Sequence, residues 1–371
     1  MRKILLYLLF AILLGGCRDN YELPLRDTDK SLLVVEGVLN AGQGPTKITL
    51  SQTVKISEGA SFKPVLLALL SVESKDGSSY ALEEKGNGSY THEKLPLTIG
   101  QEYRLRIKTK DNKEYLSDFV VARQSPDIDA VTWKREKDGV AIFANTHDAT
   151  NKTRYYKWSF DETWEIRSYY RSDYQWVGGT NIIYSPDFNT HCWKYTTSNT
   201  INIGSTAQLA SDVVNEAPLL FIPPFSEKLS VRYSILLKQQ ALTKEAYEYL
   251  SLMKKNTESL GSIFDPQPSE LRGNIKCITN PEEGVIGYLT ASSFSEKRIF
   301  ITAVEADWRF NQDCPSIEVE KHPDSLKQWL PGYLPYAEGM VMGTQPVYYM
   351  APAACVDCTQ RGGNLNRPSY W

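Results

Sequence analysis

Six cysteines are the residues with the most chemistry to offer, and their positions set one apart. Cys17 follows Arg2, Lys3 and the unbroken apolar run Ile4 to Leu14. That run is too short to cross a bilayer core of ~30 Å, which takes about 20 residues. It has the length and the basic flank of a secretory signal. Leu14-Gly15-Gly16-Cys17 places Leu at −3 and two small residues before Cys, the pattern of a bacterial lipobox. There the thiol receives a diacylglycerol, the peptide is cut before Cys, and the freed amine is acylated. Each buried CH₂ contributes roughly 0.8 kcal/mol, so two or three chains anchor stably. The alternative is an ordinary signal peptide with a chance Cys at its boundary.

Cys192, Cys277, Cys314, Cys355 and Cys358 remain. An exported chain meets an oxidising compartment, so disulfides are expected. Five is odd, so at least one thiol stays free or pairs outside the chain. Cys355-x-x-Cys358 also has metal-ligand and redox spacing. Structural zinc needs about four ligands, which Cys277 and Cys314 could complete. A redox pair needs a strand leading into a helix, whereas this motif lies in a Pro-, Gly- and Asn-rich tail. Disulfides among Cys277, Cys314, Cys355 and Cys358 are the favoured reading. They would join Cys277 to Cys314 and pin the tail with one further crosslink.

Other reactive types are sparse. His92, His147, His191 and His322 do not stand at metal-ligand spacing from one another. His191 beside Cys192, and Asp161 beside Glu162, would point to opposite faces of a strand. Glu282 and Glu283 sit in a Pro/Gly turn, where a solvated role is the default. The chain contains no Gly-x-Ser-x-Gly elbow, phosphate loop or dinucleotide fingerprint. Neither a catalytic residue nor a metal or cofactor is assigned. Tyr169, Tyr170, Tyr174 and Trp176 form an aromatic cluster with Arg171 and Gly178-Gly179. Such residues are enriched at interface hot spots, which makes the four a candidate binding surface. A long hairpin with one packed face explains the same residues and is the simpler reading.

The elements that must position these residues read as β. Net charge is −3 and no basic patch stands out, so nucleic acid is not an expected partner. Tyr, Trp and short apolar alternations favour strands. Residues 18–30 read as a flexible tether. Residues 31–125 read as an immunoglobulin-like sandwich of short strands. Tyr103, Leu105 and Ile107 point inward in this reading, while Arg104, Arg106 and Lys108 point outward. Val65 to Val72 reads as one strand, and Asp76-Gly77 as a hairpin turn. Residues 126–371 read as a larger β-rich domain, in which Tyr156, Trp158, Phe160 and Glu162 share a face. A helix is predicted at about 243–260, with Thr243 as N-cap. Leu242 and Tyr247 would form a hydrophobic staple. Ala246, Tyr249, Leu250 and Met253 would form the packed stripe, and Gly261 the C-cap. Arg272 to Cys277 and Val285 to Leu289 look like paired strands around the turn at 280–284.

Several segments in order carry a family resemblance. Leu33-Val34-Val35-Glu36-Gly37 follows the lipobox. Leu242 to Tyr249, Leu260 to Pro268, and Gly273-Asn274-Ile275 with Asn280-Pro281-Glu282-Glu283 come later. Cys355-Val356-Asp357-Cys358, Gly362-Gly363, Pro368 and Trp371 close the chain. This resembles the Bacteroidetes lipoproteins of domain-of-unknown-function family 4249, over nearly the whole mature chain. The resemblance implies a lipid-anchored, β-rich ectodomain, often encoded beside a TonB-dependent outer-membrane receptor, and no catalytic residues. Asp19 and Glu22 resemble the acidic residues that follow the lipidated Cys in surface-exported members.

Two function classes follow. One is a non-catalytic binding or accessory lipoprotein of the outer membrane, facing the medium or the periplasm, partnered by a TonB-dependent receptor. The other is a surface hydrolase whose site is assembled from residues distant in sequence. Cys17→Ala should leave the fold intact and move the protein out of the membrane fraction. Membrane retention of that variant, read by fractionation, would overturn the anchor.

Overall fold

The computed structural model describes residues 31–54, 62–258, 271–343 and 345–371. Cys17, the tether, Gly261 and the 260–268 segment lie outside the described residues. The described chain is mostly β, with an N-terminal sandwich followed by a β-rich region carrying one long helix.

In the first sandwich, one sheet is built on Leu33–Asn40, Thr46–Gln52 and Ser89–His92. The other is built on Leu69–Ser74, Ser79–Glu84, Glu102–Lys108 and Glu114–Ser117. Alternation decides which side chains meet. Tyr103, Leu105 and Ile107 are buried, facing Leu39, Ile48 and Leu50. Arg104 and Arg106 stay outside and clamp Glu73 across the strands at 2.7 and 2.6 Å. Gly77 closes the predicted hairpin at φ +99°, while Asp76 accepts from the Ser78 amide at 2.9 Å. The strand expected over 65–72 begins only at Leu69. Residues 65–68 form a loop because the Tyr90 hydroxyl takes up the Val65 carbonyl and the Ala68 amide and Glu84 the Leu67 amide, leaving only the Val65 amide on the neighbouring strand at Leu50.

The division at residue 125 is corrected by the segment after the helix. Ile275–Cys277 adds to Glu114–Ser117. Val285–Ile286 and Thr290–Ser292 run parallel to Leu33–Asn40. The two stretches expected to pair as a hairpin around 280–284 therefore complete separate sheets of the first sandwich. Their apolar residues Ile275, Val285, Leu289 and Ala291 are buried in its core. Gly273 allows this passage, since a Cβ there would lie 1.7 Å from the Gly287 carbonyl oxygen.

A second sandwich opposes Ile128–Glu136, Gly139–His147 and Val213–Ile222 to a sheet centred on Tyr155–Arg167. Arg232–Ala241, Ser295–Thr302, His191–Thr197 and Asn202–Ser205 complete that sheet. Tyr156, Trp158, Phe160, Trp164 and Ile166 point into the core, as period two requires. Glu162 lies on the same inner face, with its side chain 5% exposed. Lys228 Nζ donates to both its oxygens at 2.7 and 2.8 Å, and the Tyr233 hydroxyl donates at 2.7 Å. A carboxylate survives in such a core only when paired this fully.

The helix runs Lys244–Glu258. Thr243 Oγ1 accepts from the Ala246 amide at 3.1 Å, the predicted cap. Ala246 and Tyr249 are buried, and Tyr247 packs on Tyr155 at 5.1 Å between ring centroids. The last module joins Ile317–Glu320, Gln345–Pro352 and Tyr333–Val341 in a small sheet.

The sandwiches meet at a buried polar junction. Ser125 Oγ accepts from the Ala241 amide at 2.9 Å and exchanges a 2.9 Å bond with Ser292 Oγ. The Ser125 amide donates to Ser293 Oγ at 2.9 Å. Gln239 reaches Pro126 O and Thr146 Oγ1 while accepting from Trp158 Nε1 at 2.8 Å. Ser125→Ala would strand the buried Ala241 amide, an effect of roughly 1–3 kcal/mol. Thermal unfolding should show Tm falling by several degrees; an unchanged Tm would remove the junction's importance.

Candidate functional site

Strand Leu33–Asn40 starts at one pole of the first sandwich and ends at the junction. The entry pole gathers Ser31, the loop before Leu69, the hairpin tip 109–113 and the turn 280–284. Between them lies a cleft of about 430 Å³, lined among others by Leu33, Gln52, Val65, Leu66 and Lys110.

Glu283 is the charged centre of this cleft. Its side chain is 8% exposed, against the solvated role its Pro/Gly turn suggests. Tyr115 donates to Oε1 at 2.6 Å and Lys113 to Oε2 at 2.8 Å, so both oxygens are occupied. Burial pushes its carboxyl up, but the bonds from Lys113 and Tyr115 outweigh burial and hold it below the usual carboxylate range. Burial and the adjacent carboxylate raise the Tyr115 hydroxyl well above its ordinary value. The carboxylate is thus ionised and already bonded, a latch between turn and hairpin tip rather than a free base. Lys110 is exposed at the rim and is the lining group best placed to meet a ligand.

A second unusual group is Lys157, on the outer face of the central strand of the second sandwich. Burial lowers its ammonium below the ordinary lysine range, and Glu36 opposes this. It lines a cavity of about 30 Å³ with Gly37, Gln240, Leu242 and Tyr288, room for about one water. Neither Lys157 nor Glu283 carries a sequence signal, because each acquires its environment from segments far away in the chain.

The residues singled out from sequence fare differently. Cys192 bonds Cys358 and Cys314 bonds Cys355, while Cys277 is free and buried. The expected Cys277–Cys314 pairing is therefore corrected. Cys277 sits on a strand of the first sandwich, whereas Cys314 packs in the C-terminal module. Both crosslinks hold the tail segment 355–358, and their sulfurs are unavailable as zinc ligands. Among the described residues no group of three or more His, Cys, Asp or Glu could hold a metal ion.

The aromatic surface is also corrected. Tyr170 stacks on Tyr336 at 3.9 Å between centroids and donates to the Cys314 carbonyl at 3.0 Å. Tyr174 meets Tyr348 edge-on at 5.6 Å. Trp176 packs on the cluster around Leu334 and Val356. Tyr174 and Trp176 fasten the 174–184 hairpin to the last module, and Tyr170 fastens the segment just before it. Tyr169 alone of the four is exposed.

Replacing Glu283 by Gln should destabilise the protein by about 1–2 kcal/mol at neutral pH, since a charged hydrogen bond is lost beside a half-exposed lysine. A depressed folded pKa stabilises above the unfolded carboxyl value, roughly 4.3, and that contribution is lost as pH falls through the folded value. Urea unfolding should therefore show the wild-type and Glu283→Gln curves converging below about pH 4. A gap that persists in acid would contradict the latch.

Comparison with solved structures finds a two-domain fibronectin type III segment of chicken tenascin, at 10% identity and a TM-score of 0.18. The match covers 57% of this chain and 91% of that one. Among curated proteins nothing matches. Among the described residues no helix is long and apolar enough to cross a membrane. The model of the Domain of unknown function (DUF4249) matches residues 18–298, most of the chain, and this protein belongs to that family.

Proposed function

We propose that this protein is a lipid-anchored, non-catalytic binding or accessory lipoprotein of the bacterial outer membrane that works beside a TonB-dependent receptor. The observation that carries the reading is the lipobox ending at Cys17, joined by a short polar stretch to the entry pole. The arrangement of the folded part is consistent with this role. The strand Tyr155–Arg167 leaves the junction at Tyr155, where Leu242 donates to its carbonyl. It reaches the C-terminal module at Ile166, opposite Cys192. The disulfide-held module lies at the other end of this strand from the junction, which suits contact with a receptor or its cargo. The polar junction between the sandwiches holds that direction.

The test is purification of the full-length protein from membranes in mild detergent, with identification of what accompanies it. Recovery of a receptor barrel in stoichiometric amount is the expected result. Isolation of the protein alone at native abundance would remove the receptor from the proposal. Turnover of glycan or peptide substrates by the isolated protein would replace the accessory role with hydrolysis.

A further inference from the structure

Four large apolar side chains stand in water within eight residues at the entry pole. Phe62 is 58% exposed, Leu66 46%, Leu67 61% and Leu69 72%. Single exposed apolar residues are ordinary, but a contiguous group marks a contact surface. More telling is how the fold holds them there.

Tyr90 is fully buried, and its hydroxyl grips both ends of the loop. It donates to the Val65 carbonyl at 2.9 Å and accepts from the Ala68 amide at 3.0 Å. The Val65 amide is tied to the Leu50 carbonyl at 3.0 Å. Between these points Leu67 adopts φ +58°, left-handed backbone that a leucine rarely takes. Its amide is held by Glu84 Oε2 at 2.9 Å. A loop selected only to connect strands would put Gly or Asn at that position. Here the core Tyr and a surface carboxylate brace a strained turn whose product is two leucines aimed at solvent. Strain retained in this way is a mark of function.

The neighbourhood says what they meet. Leu66 lines the same cleft as Ser31, where the chain enters the fold. Residues 18–30 can extend at most roughly 45 Å from Cys17. Lys63 and Lys110 flank the apolar group as exposed cations. An apolar tip with two exposed lysines beside it, and with Glu84 engaged by the Leu67 amide, fits an interface with anionic headgroups.

We propose that the loop Phe62–Leu69, with Phe62, Leu66, Leu67 and Leu69 as its contacts, inserts into the headgroup–acyl boundary of the bilayer beside the lipid anchor. It thereby seats the first sandwich pole-down on the membrane. The inference deepens the anchored reading above, from a tether alone to a tether with a second, protein-built contact. It also sets the orientation, since the C-terminal module then points away from the lipid.

The experiment uses the full-length protein reconstituted in vesicles of phosphatidylethanolamine and phosphatidylglycerol. An environment-sensitive fluorophore is attached at Leu66→Cys, or at Val304→Cys in the second sandwich, where the native residue is 90% exposed. Cys277 is buried and is the free thiol among the described residues. The label at 66 should shift to shorter wavelength and be quenched by lipid-borne nitroxides, and the label at 304 should not. Adding Leu67→Ser and Leu69→Ser should cut the quenching at 66 several-fold. Equal, weak quenching at both positions with Cys17 acylated, read by mass spectrometry, would overturn the insertion and leave the anchor standing. Strong quenching at 66 with Cys17 unmodified would overturn the anchor and leave the insertion standing. A shift at 66 that appears without vesicles and grows with protein concentration would assign the loop to a second copy and overturn the proposal.

Discussion

The Ser125 hydroxyl meets the Ala241 amide, the Ser292 hydroxyl and the Ser293 carbonyl in a place that water does not reach. Three separate passes of the chain are joined there. One leaves the first sandwich, one is the end of a second-sandwich strand, and one is returning from the first sandwich to the second. An apolar contact between two sandwiches would tolerate rotation, because hydrophobic burial is non-directional. A buried hydroxyl with three partners does not, because each lost bond leaves a desolvated group unpaired. The direction in which the second sandwich leaves the first depends on this constraint.

The return of residues 275–292 gives the junction a second consequence. The first sandwich is unfinished until Val285 and Thr290 pair with the strand that begins at Leu33. Its sheets thus rest on contacts between residues some 250 apart, whose closure carries a large chain-entropy cost. The two sandwiches are one cooperative body in consequence. The last module is different. Its buried cluster is small, formed by Leu334, Ala351, Cys355 and Val356. Crosslinks spanning 166 and 41 residues supply what such a core lacks, by restricting the unfolded chain.

Charge placement separates structural from presented polarity. Glu162, deep in the second core, is fully answered by Lys228 and Tyr233, and Glu283 by Lys113 and Tyr115. Both are internal fastenings, with each carboxylate oxygen bonded to a neighbouring side chain. The apolar side chains at 62, 66, 67 and 69 are the opposite case: they are exposed, and Tyr90 and Glu84 brace the loop that carries Leu66 and Leu67.

Local periodicity was enough to determine much. Tyr103, Leu105 and Ile107 turn inward, Tyr156, Trp158, Phe160 and Glu162 share one face, and Thr243 caps the helix, because each depends on neighbours within a few residues. The lipobox at Cys17 is likewise a contiguous signal. Cysteine pairing, the burial of Glu283, the inward packing of Tyr170, Tyr174 and Trp176, and the return of 275–292 were decided only in three dimensions. Apart from the Cys314–Cys355 bond, which spans 41 residues, each depends on a partner more than a hundred residues away, and alternation specifies which face a side chain takes but not what that face meets. The loop at 65–68 shows the same limit at short range. Val65 to Val72 has the composition of a single strand, yet the hydroxyl of Tyr90 takes up its backbone groups and turns Leu66 and Leu67 to the outside.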